Sequence, residues 1–578
     1  MFRLLKFLRP YRISIFLIII LTFTQAISEV FLPTLMADIV DIGIVNGDTG
    51  YILRVGAVMI LVALIATISI ITSNYLSAKV ASSYSRDLRT KVFRRVASFS
   101  LAEFDRIGTA SLITRTTNDI TQMERITIMG LRLMLRAPML LIGSIIMAIT
   151  RDVKLSLFIV FIVPLLIVIV IIISKKSMPL FKSMQEKLDK INLIVREGLT
   201  GIRVIRAFNR ISHENQRFNK ANIDLKDTAI RVNKIMAITM PLMMLIMNMS
   251  IIIIVWFGSI RINTGEMLVG DLMAFIQYII QILFSLIMVS MIFIMIPRAS
   301  ASANRVIEVL DITPSIVDKG IDKNIAAKEK KRGYLEFKNV SFKYEGAERA
   351  AIENISFTAE PGKITAIIGG TGSGKSTLIK LIPRLYDVTE GSILLNGVDI
   401  RHMSQKDLRS KMGIIPQKSM LFSGTIAENI RYGKEDATIE EITHAAEIAQ
   451  AMEFISEMED GIESKISQGG TNLSGGQKQR LAIARALVKK PEIYIFDDSF
   501  SALDYNTDAK LRRALRETTH KAAIIIVAQR VTTIRKADTI IVLDEGKIAG
   551  IGNHDSLIRN CEVYREIVSS QLSKEELA

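Results

Sequence analysis

Ile364-Thr365-Ala366-Ile367-Ile368-Gly369-Gly370-Thr371-Gly372-Ser373-Gly374-Lys375-Ser376-Thr377 decides how the second half of the chain folds. Ile364–Ile368 is apolar and β-branched, which predicts a buried strand. The glycine-rich run that follows reads G-x-x-x-x-G-K-S and opens a helical run, so the motif has the strand–loop–helix setting its chemistry requires. Glycines let successive backbone N–H groups turn in on a chain of phosphates, and the helix start adds the positive end of a dipole. Gly369, Gly370, Thr371, Gly372, Ser373, Gly374 and Thr377 then form the cradle. Lys375 reaches the outer phosphates and the Ser376 hydroxyl ligates Mg²⁺.

Upstream the composition changes. The 578 residues are 49% hydrophobic, with a mean hydropathy of +0.34, and nearly all long apolar runs lie before Arg298. Crossing a bilayer as a helix takes about 20 apolar residues. Six stretches qualify: Ile13–Leu35, Ile52–Ser73, Ile126–Ile149, Leu155–Ile173, Ile235–Ile260 and Leu272–Ile296. The N-terminus (Arg3, Lys6, Arg9, Arg12) and the two long loops are basic. The first loop (Asp38, Asp41, Asp48) and the fifth (Glu266, Asp271) are short and acidic. By the positive-inside rule the N-terminus, the long loops and everything after the sixth span are cytoplasmic.

The formal charge of +16 has the same origin and excludes little else; no nucleic-acid-binding motif accompanies it, so no nucleic acid partner is expected. The long loops keep helical periodicity with little Gly or Pro, so spans two to five are expected to run on into the cytoplasm and meet in short turns. Leu4–Tyr11 reads as an amphipathic helix on the inner membrane surface. A cleavable leader over residues 1–28 also fits the charged start, but its removal would leave five spans and spoil the charge pattern. The single cysteine, Cys561, excludes an intramolecular disulfide framework and suits a reducing cytosol. The expected division is a membrane domain over 1–311, a polar linker over 312–333 (Lys323, Lys328, Lys330, Lys331), and an α/β P-loop domain with a helical subdomain over 334–578.

Further motifs follow the P-loop in order: Gln417; Leu473-Ser474-Gly475-Gly476-Gln477 before a helix; the buried strand Ile493–Phe496 ending in Asp497, an acid placed to bind Mg²⁺; and Ser501-Ala502-Leu503-Asp504. This order resembles the nucleotide-binding domain of ABC transporters. The resemblance covers the whole chain, because the first half is similar to six-span exporter domains, including residues 104–109 and 201–208, which in that family sit at or near the loop tips that touch the nucleotide domains. It implies ATP and Mg²⁺ as ligands, a cell-membrane location and a second half-transporter as partner. Tyr344 matches the aromatic that stacks on adenine. Gln417 matches the glutamine that approaches Mg²⁺ and relays nucleotide state. Ser474 and Gly476 match the signature that caps the γ-phosphate of ATP held by the opposite subunit, and Asp504 the aspartate near the dimer interface.

Two positions depart from the family pattern. The residue after the Walker B aspartate is normally Glu, the general base; here it is Asp498, whose carboxylate falls roughly 1.5 Å short, one C–C bond. An ångström of misplacement costs on the order of 100-fold. The switch histidine falls at Gln529, which can donate to phosphate but carries no charge. Together they read as a site that binds ATP and hydrolyses it poorly, while the intact signature completes a competent site on a different chain. A homodimer with a slow Asp498 is the other reading. For substrate, the methionines of spans five and six (with Met243, Met247 and Met291 chosen as cavity residues) suit promiscuous apolar binding. Gln25 and Glu29 in span one offer an acid for cationic drugs, unless Glu29 pairs with Arg132 or Arg136. Export of amphipathic drugs, movement of a lipid, peptide or siderophore, and a nucleotide-gated channel all stay open on sequence.

Overall fold

The computed structural model describes residues 2–318, 332–501 and 503–571, without the side chains of a few residues, Met291 among them. The four linker lysines and Ala502 lie outside the described residues. The chain divides into a helical unit, Met1–Ala97 with Thr109–Ile312, and an α/β unit, Ser98–Gly108 with Thr313–Ala578.

Six helices of the helical unit are long and apolar enough to cross a membrane. The first runs over Arg12–Asp38, the second over Thr49–Ala97, the fourth over Val153–Thr200, the fifth over Ile211–Asn263 and the sixth over Val269–Asp311. The third is assembled from Thr109–Thr116, Asn118–Met129, a wider turn at Gly130–Met134, and Leu135–Arg151. At 1.5 Å per residue a 49-residue helix is about 70 Å long, more than twice the hydrocarbon core of a bilayer. Spans two to five extend as their periodicity predicts. The sixth also continues, to Asp311, where the sequence reading ended the span at Ile296. Apolar side chains such as Phe16, Ile60, Phe161 and Trp256 point outward, a surface suited to lipid.

The N-terminus differs from the amphipathic helix expected over Leu4–Tyr11. Phe2–Leu5 is a single helical turn and Lys6–Tyr11 a tighter one that contains Pro10, whose missing N–H disfavours a longer helix. Leu4 is buried, Leu8 and Tyr11 pack against a cluster of Ile18, Val80 and Leu131, and Tyr11 donates to Asp87 at 2.6 Å. The segment is therefore anchored to the bundle.

At the short-loop end, ion pairs tie the helix ends together. Arg151 pairs with Asp271 at 2.8 Å and Asp38 at 3.5 Å; Arg261 pairs with Asp152 at 2.9 Å and Glu266 at 2.8 Å. Asp41 accepts from the Gly270 amide at 2.6 Å. Gly270 has no room for a side chain: a Cβ would sit 2.5 Å from Asp41 Oδ2 and strike the Ala37 carbonyl oxygen. Gly270→Ala is expected to break this contact and cost about 1–3 kcal/mol, read as a lowered unfolding temperature of the detergent-solubilised protein.

The described residues of the α/β unit form twelve strands: β1 Leu335–Phe342, β2 Ile352–Ala359, β3 Ile364–Gly369, β4 Glu390–Leu395, β5 Val398–Asp399, β6 Met412–Ile415, β7 Gly424–Thr425, β8 Lys465–Ile466, β9 Ile493–Asp497, β10 Ala523–Val527, β11 Thr539–Asp544 and β12 Lys547–Gly552. β2-β1-β4-β5 form an antiparallel sheet. β12-β11-β3-β10-β9-β6 form a second sheet, parallel except for the β11–β12 hairpin. The central strands β9 and β10 are almost entirely buried, as their unbroken apolar runs require. One apolar core fills the space between the sheets; a second joins the large sheet to the helices over 426–487.

Candidate active site

The carboxyl ends of three adjacent parallel strands converge. β3 ends at Gly369, β9 at Asp497 and β10 at Val527, with Ile367 opposite Val527 and Val527 opposite Asp497. Ligands of open α/β sheets bind at such edges. The Gly369–Lys375 loop leaves β3 here, and the Gln529 loop leaves β10 beside it, held by the Ala528 amide on the Ile367 carbonyl at 3.1 Å.

The loop's conformation requires glycine at Gly374. Its φ is +95°, and a Cβ would lie 2.6 Å from Ile352 Cγ2 and 2.8 Å from the Ala351 carbonyl. Lys375 is buried and donates to the Gly369 and Gly370 carbonyls at 2.8 and 2.6 Å. Burial pulls its pKa down, opposed by Asp498 and Asp497. Burial raises both aspartates, Asp497 further through its neighbour Asp498; a hydrogen bond from Gln417 pulls Asp498 back. Gln417 Nε2 lies 3.3 Å from Asp498 Oδ2. A raised pKa makes Asp498 a stronger base than an ordinary aspartate, so what it lacks beside a glutamate is reach.

The structure therefore gathers Lys375, Gln417, Asp497 and Asp498 at one strand edge. A buried ammonium over a glycine loop fits an anionic triphosphate. For a cation, the described residues hold no cluster of three or more His, Cys, Asp or Glu. Mg²⁺ suits this donor set, because it is usually held by one or two carboxylates together with substrate phosphates. Ser376, Asp497 and Gln417 would hold it. When bound, the ion would neutralise phosphate charge.

Tyr344 follows β1 and donates to or accepts from Thr377 Oγ1 at 3.0 Å. Its ring is edge-on to Phe342 at 4.8 Å and to Tyr386 at 5.4 Å. The signature lies apart from this edge in the sequence and folds as a helix start. Ser474 caps Gly475–Leu487, accepting from the Gln477 amide at 3.2 Å, while the Gln477 side chain accepts from the Ser474 amide at 2.8 Å. Leu473 is buried; Ser474 and Gly475 are exposed. Asp504 caps the helix Tyr505–Thr518 by accepting from Thr507 N at 3.0 Å.

Two features had no sequence signal. The Gln571 side chain bridges the switch loop: its Nε2 donates to the Gln529 carbonyl at 2.7 Å, and its Oε1 accepts from the Val531 amide at 2.8 Å. The phenol of Tyr386 donates to Asp105 Oδ2 at 2.7 Å, across 281 residues of sequence.

In the helical unit, Met243 and Met247 line an apolar cavity of about 160 Å³ with Met240, Met244, Leu166 and Phe284. Gln25 and Glu29 are not at its wall. Gln25 donates to Glu29 at 2.8 Å, and Arg136 binds both Glu29 oxygens at 2.8 and 2.9 Å. Glu29 is thus engaged by Arg136, whereas Arg132 donates to the Asn74 carbonyl at 2.7 Å.

Two sequence families match the chain: the ABC transporter transmembrane region over residues 15–286, and ABC transporter over residues 352–501. A Bacillus subtilis protein with the provisional name multidrug export ATP-binding/permease protein is 32% identical, over 98% of this chain and 99% of its own length. An ATP-dependent lipid A-core flippase of Vibrio parahaemolyticus is 30% identical, over 98% of this chain and 96% of its own. The solved structure of a bacterial Atm1-family ABC exporter with ATP bound matches with a TM-score of 0.80 at 26% identity, covering 98% of this chain and 99% of that one.

Proposed function

The chain belongs to the ABC transporter family, as an ATP-hydrolysing exporter half with its membrane domain fused to its ATP-binding domain, and from that premise we propose that it is one subunit of a heterodimeric exporter that moves amphipathic small molecules out across the cell membrane. One observation carries the heterodimer: Asp498 and Gln529 stand at the base and switch positions beside a complete phosphate loop, while the signature helix, which serves the other site, is intact. The membrane domain takes 1–311, the linker 312–333 and the ATP-binding domain 334–578.

In this reading residues 369–377 wrap the phosphates of ATP stacked on Tyr344. Lys375 neutralises the outer phosphates, and Ser376, Asp497 and Gln417 face Mg²⁺. Asp498 is too short to activate water well, so this chain's own site holds ATP through the cycle. Residues Leu473–Gln477 close over the ATP of a partner chain that carries Glu and His at the matching positions. ATP binding draws the two nucleotide domains together because their closed form binds it more tightly. Hydrolysis at the partner's site reopens them. The methionine-lined cavity supports an apolar substrate, since Met side chains adapt to varied shapes.

Native mass spectrometry of the complex, extracted from its own membrane in mild detergent, tests the assembly. This chain bound to a different chain of similar size is the expected mass. Two copies of this chain would sink the heterodimer and leave hydrolysis to Asp498. In inside-out vesicles, ATP should drive uptake of the amphipathic dye Hoechst 33342; uptake of a fluorescent lipid without the dye would point instead to flipping.

A further inference from the structure

The short helix Leu101–Ile107 joins the second and third membrane helices, yet it belongs to the α/β unit. Three contacts hold it there. Leu101 and Ala102 pack on the core between the sheets, the core that Tyr344 and Leu385 also pack against. The Glu103 carboxylate accepts from the Ser100 amide at 2.6 Å and from the Ser315 amide at 3.1 Å. Burial pushes the Glu103 carboxyl up, but the hydrogen bonds from Ser100 and Ser315 outweigh it and hold the group below its ordinary range. Glu103 thereby ties together the two places where the chain passes from helical unit to α/β unit: the segment before this helix and the segment after the sixth span. The third contact is the Tyr386–Asp105 hydrogen bond at 2.7 Å.

That last contact is the end of a continuous series. Thr377, in the helix that follows the phosphate loop, bonds the Tyr344 hydroxyl at 3.0 Å. The Tyr344 ring meets the Tyr386 ring edge-on, centroids 5.4 Å apart and planes at 86°. Tyr386 is buried, and burial together with Asp105 pushes its phenol well above the ordinary range, so it stays a donor at every physiological pH. Two rings and two hydrogen bonds therefore connect the phosphate-loop helix to the segment between membrane helices two and three, and none of them passes through Gln417.

We propose that Tyr386 and Asp105 are a positioning pair that carries the occupancy of the base site at Tyr344 to the helix Leu101–Ile107, a route separate from the one through Gln417. The proposal rests on the reading of Tyr344 as the base-stacking ring. A base stacked on Tyr344 would hold its ring in one position against Tyr386; stacking of this kind is worth about 1–3 kcal/mol per base, enough to bias a two-state contact. Tyr386 passes that bias on because its hydroxyl has one strong acceptor. A chain of contacts is a route only if its members are energetically coupled, and the test is built to measure this.

The intact complex in lipid nanodiscs is followed by hydrogen–deuterium exchange with and without saturating ATP and Mg²⁺, alongside the KM for ATP. In the native protein ATP should slow exchange both over 375–381 and over 90–117. Tyr386→Phe, which keeps the ring and loses only the donor, should leave the KM within about twofold and the response over 375–381 intact, while cutting the response over 90–117 at least twofold. Asp105→Ala should do the same. Asp105→Asn keeps a carbonyl acceptor and should restore it, a rescue that a merely structural role would not predict. A native response over 90–117 in both Tyr386→Phe and Asp105→Ala overturns the route, as does a loss that appears equally over 375–381. Tyr344→Ala separates the two claims. In an ATP titration followed by exchange over 375–381 it should raise the half-maximal ATP concentration; an unchanged value refutes the base-site reading and the route with it, whereas a native response in Tyr386→Phe refutes the route alone.

Discussion

Gly475→Asp is expected to lower ATP turnover of the purified complex at least about 100-fold without unfolding this chain. The fold tolerates the change, because a Cβ at Gly475 meets nothing within 4 Å. The capping exchange between Ser474 and Gln477 involves neither the Gly475 side chain nor its amide. The new carboxylate would stand at the open N-terminus of the 13-residue signature helix, where a terminal phosphate is to be held. Two like charges 4 Å apart at an effective dielectric near 20 repel by about 4 kcal/mol, which is several hundredfold. In the proposed heterodimer the signature serves the partner's ATP, so the loss should fall on the competent site and remove nearly all turnover. Phosphate release at saturating ATP measures it; turnover at the native level would refute the claim that this helix completes a hydrolysing site.

Asp498 should behave in the opposite way. Asp498→Asn is expected to leave turnover within about twofold of native, since the base it removes does little work in a heterodimer. Asp498→Glu restores the missing methylene and should raise hydrolysis at this chain's own site by about 10–100-fold, the range that an ångström of misplacement covers. Gln529 stays in place in both variants, so their difference follows the carboxylate at position 498. Single-turnover hydrolysis, with the partner's base removed, isolates this site. If Asp498→Asn instead abolishes all turnover, Asp498 is the working base and the two sites are alike.

The phosphate loop, the signature and the six spans were legible because each is local. A P-loop lies within one stretch of fewer than twenty residues, and a span declares itself by unbroken hydropathy. The continuation of the sixth helix to Asp311 was missed because hydropathy ends at Arg298, whereas helix propensity does not. The N-terminal segment was read in part for a related reason: its alternation of basic and apolar residues fits a membrane surface as well as a protein groove, and the burial of Leu4, the packing of Leu8 and the Tyr11–Asp87 bond show that one face meets the bundle. Glu29 kept two readings until its partner was visible, since neither Arg132 nor Arg136 is distinguished by spacing. Tyr386 and Asp105 could not be paired from sequence at all. Each is an ordinary residue in its own segment, and the contact exists only once the helix Leu101–Ile107 is seated on the α/β core.

The bridge made by Gln571 places a control point far from the chemistry. Its helix, Glu562–Gln571, is held in the core by Tyr564 and Val568, so loss of residues 571–578 alone would remove the bridge and leave the helix seated. Such a truncation would spare the side chains assigned to phosphate, yet it would release the Gln529 carbonyl and the Val531 amide together. C-terminal trimming would then act on this transporter as a modulator of its switch loop, and a preparation only eight residues short would already have lost that restraint.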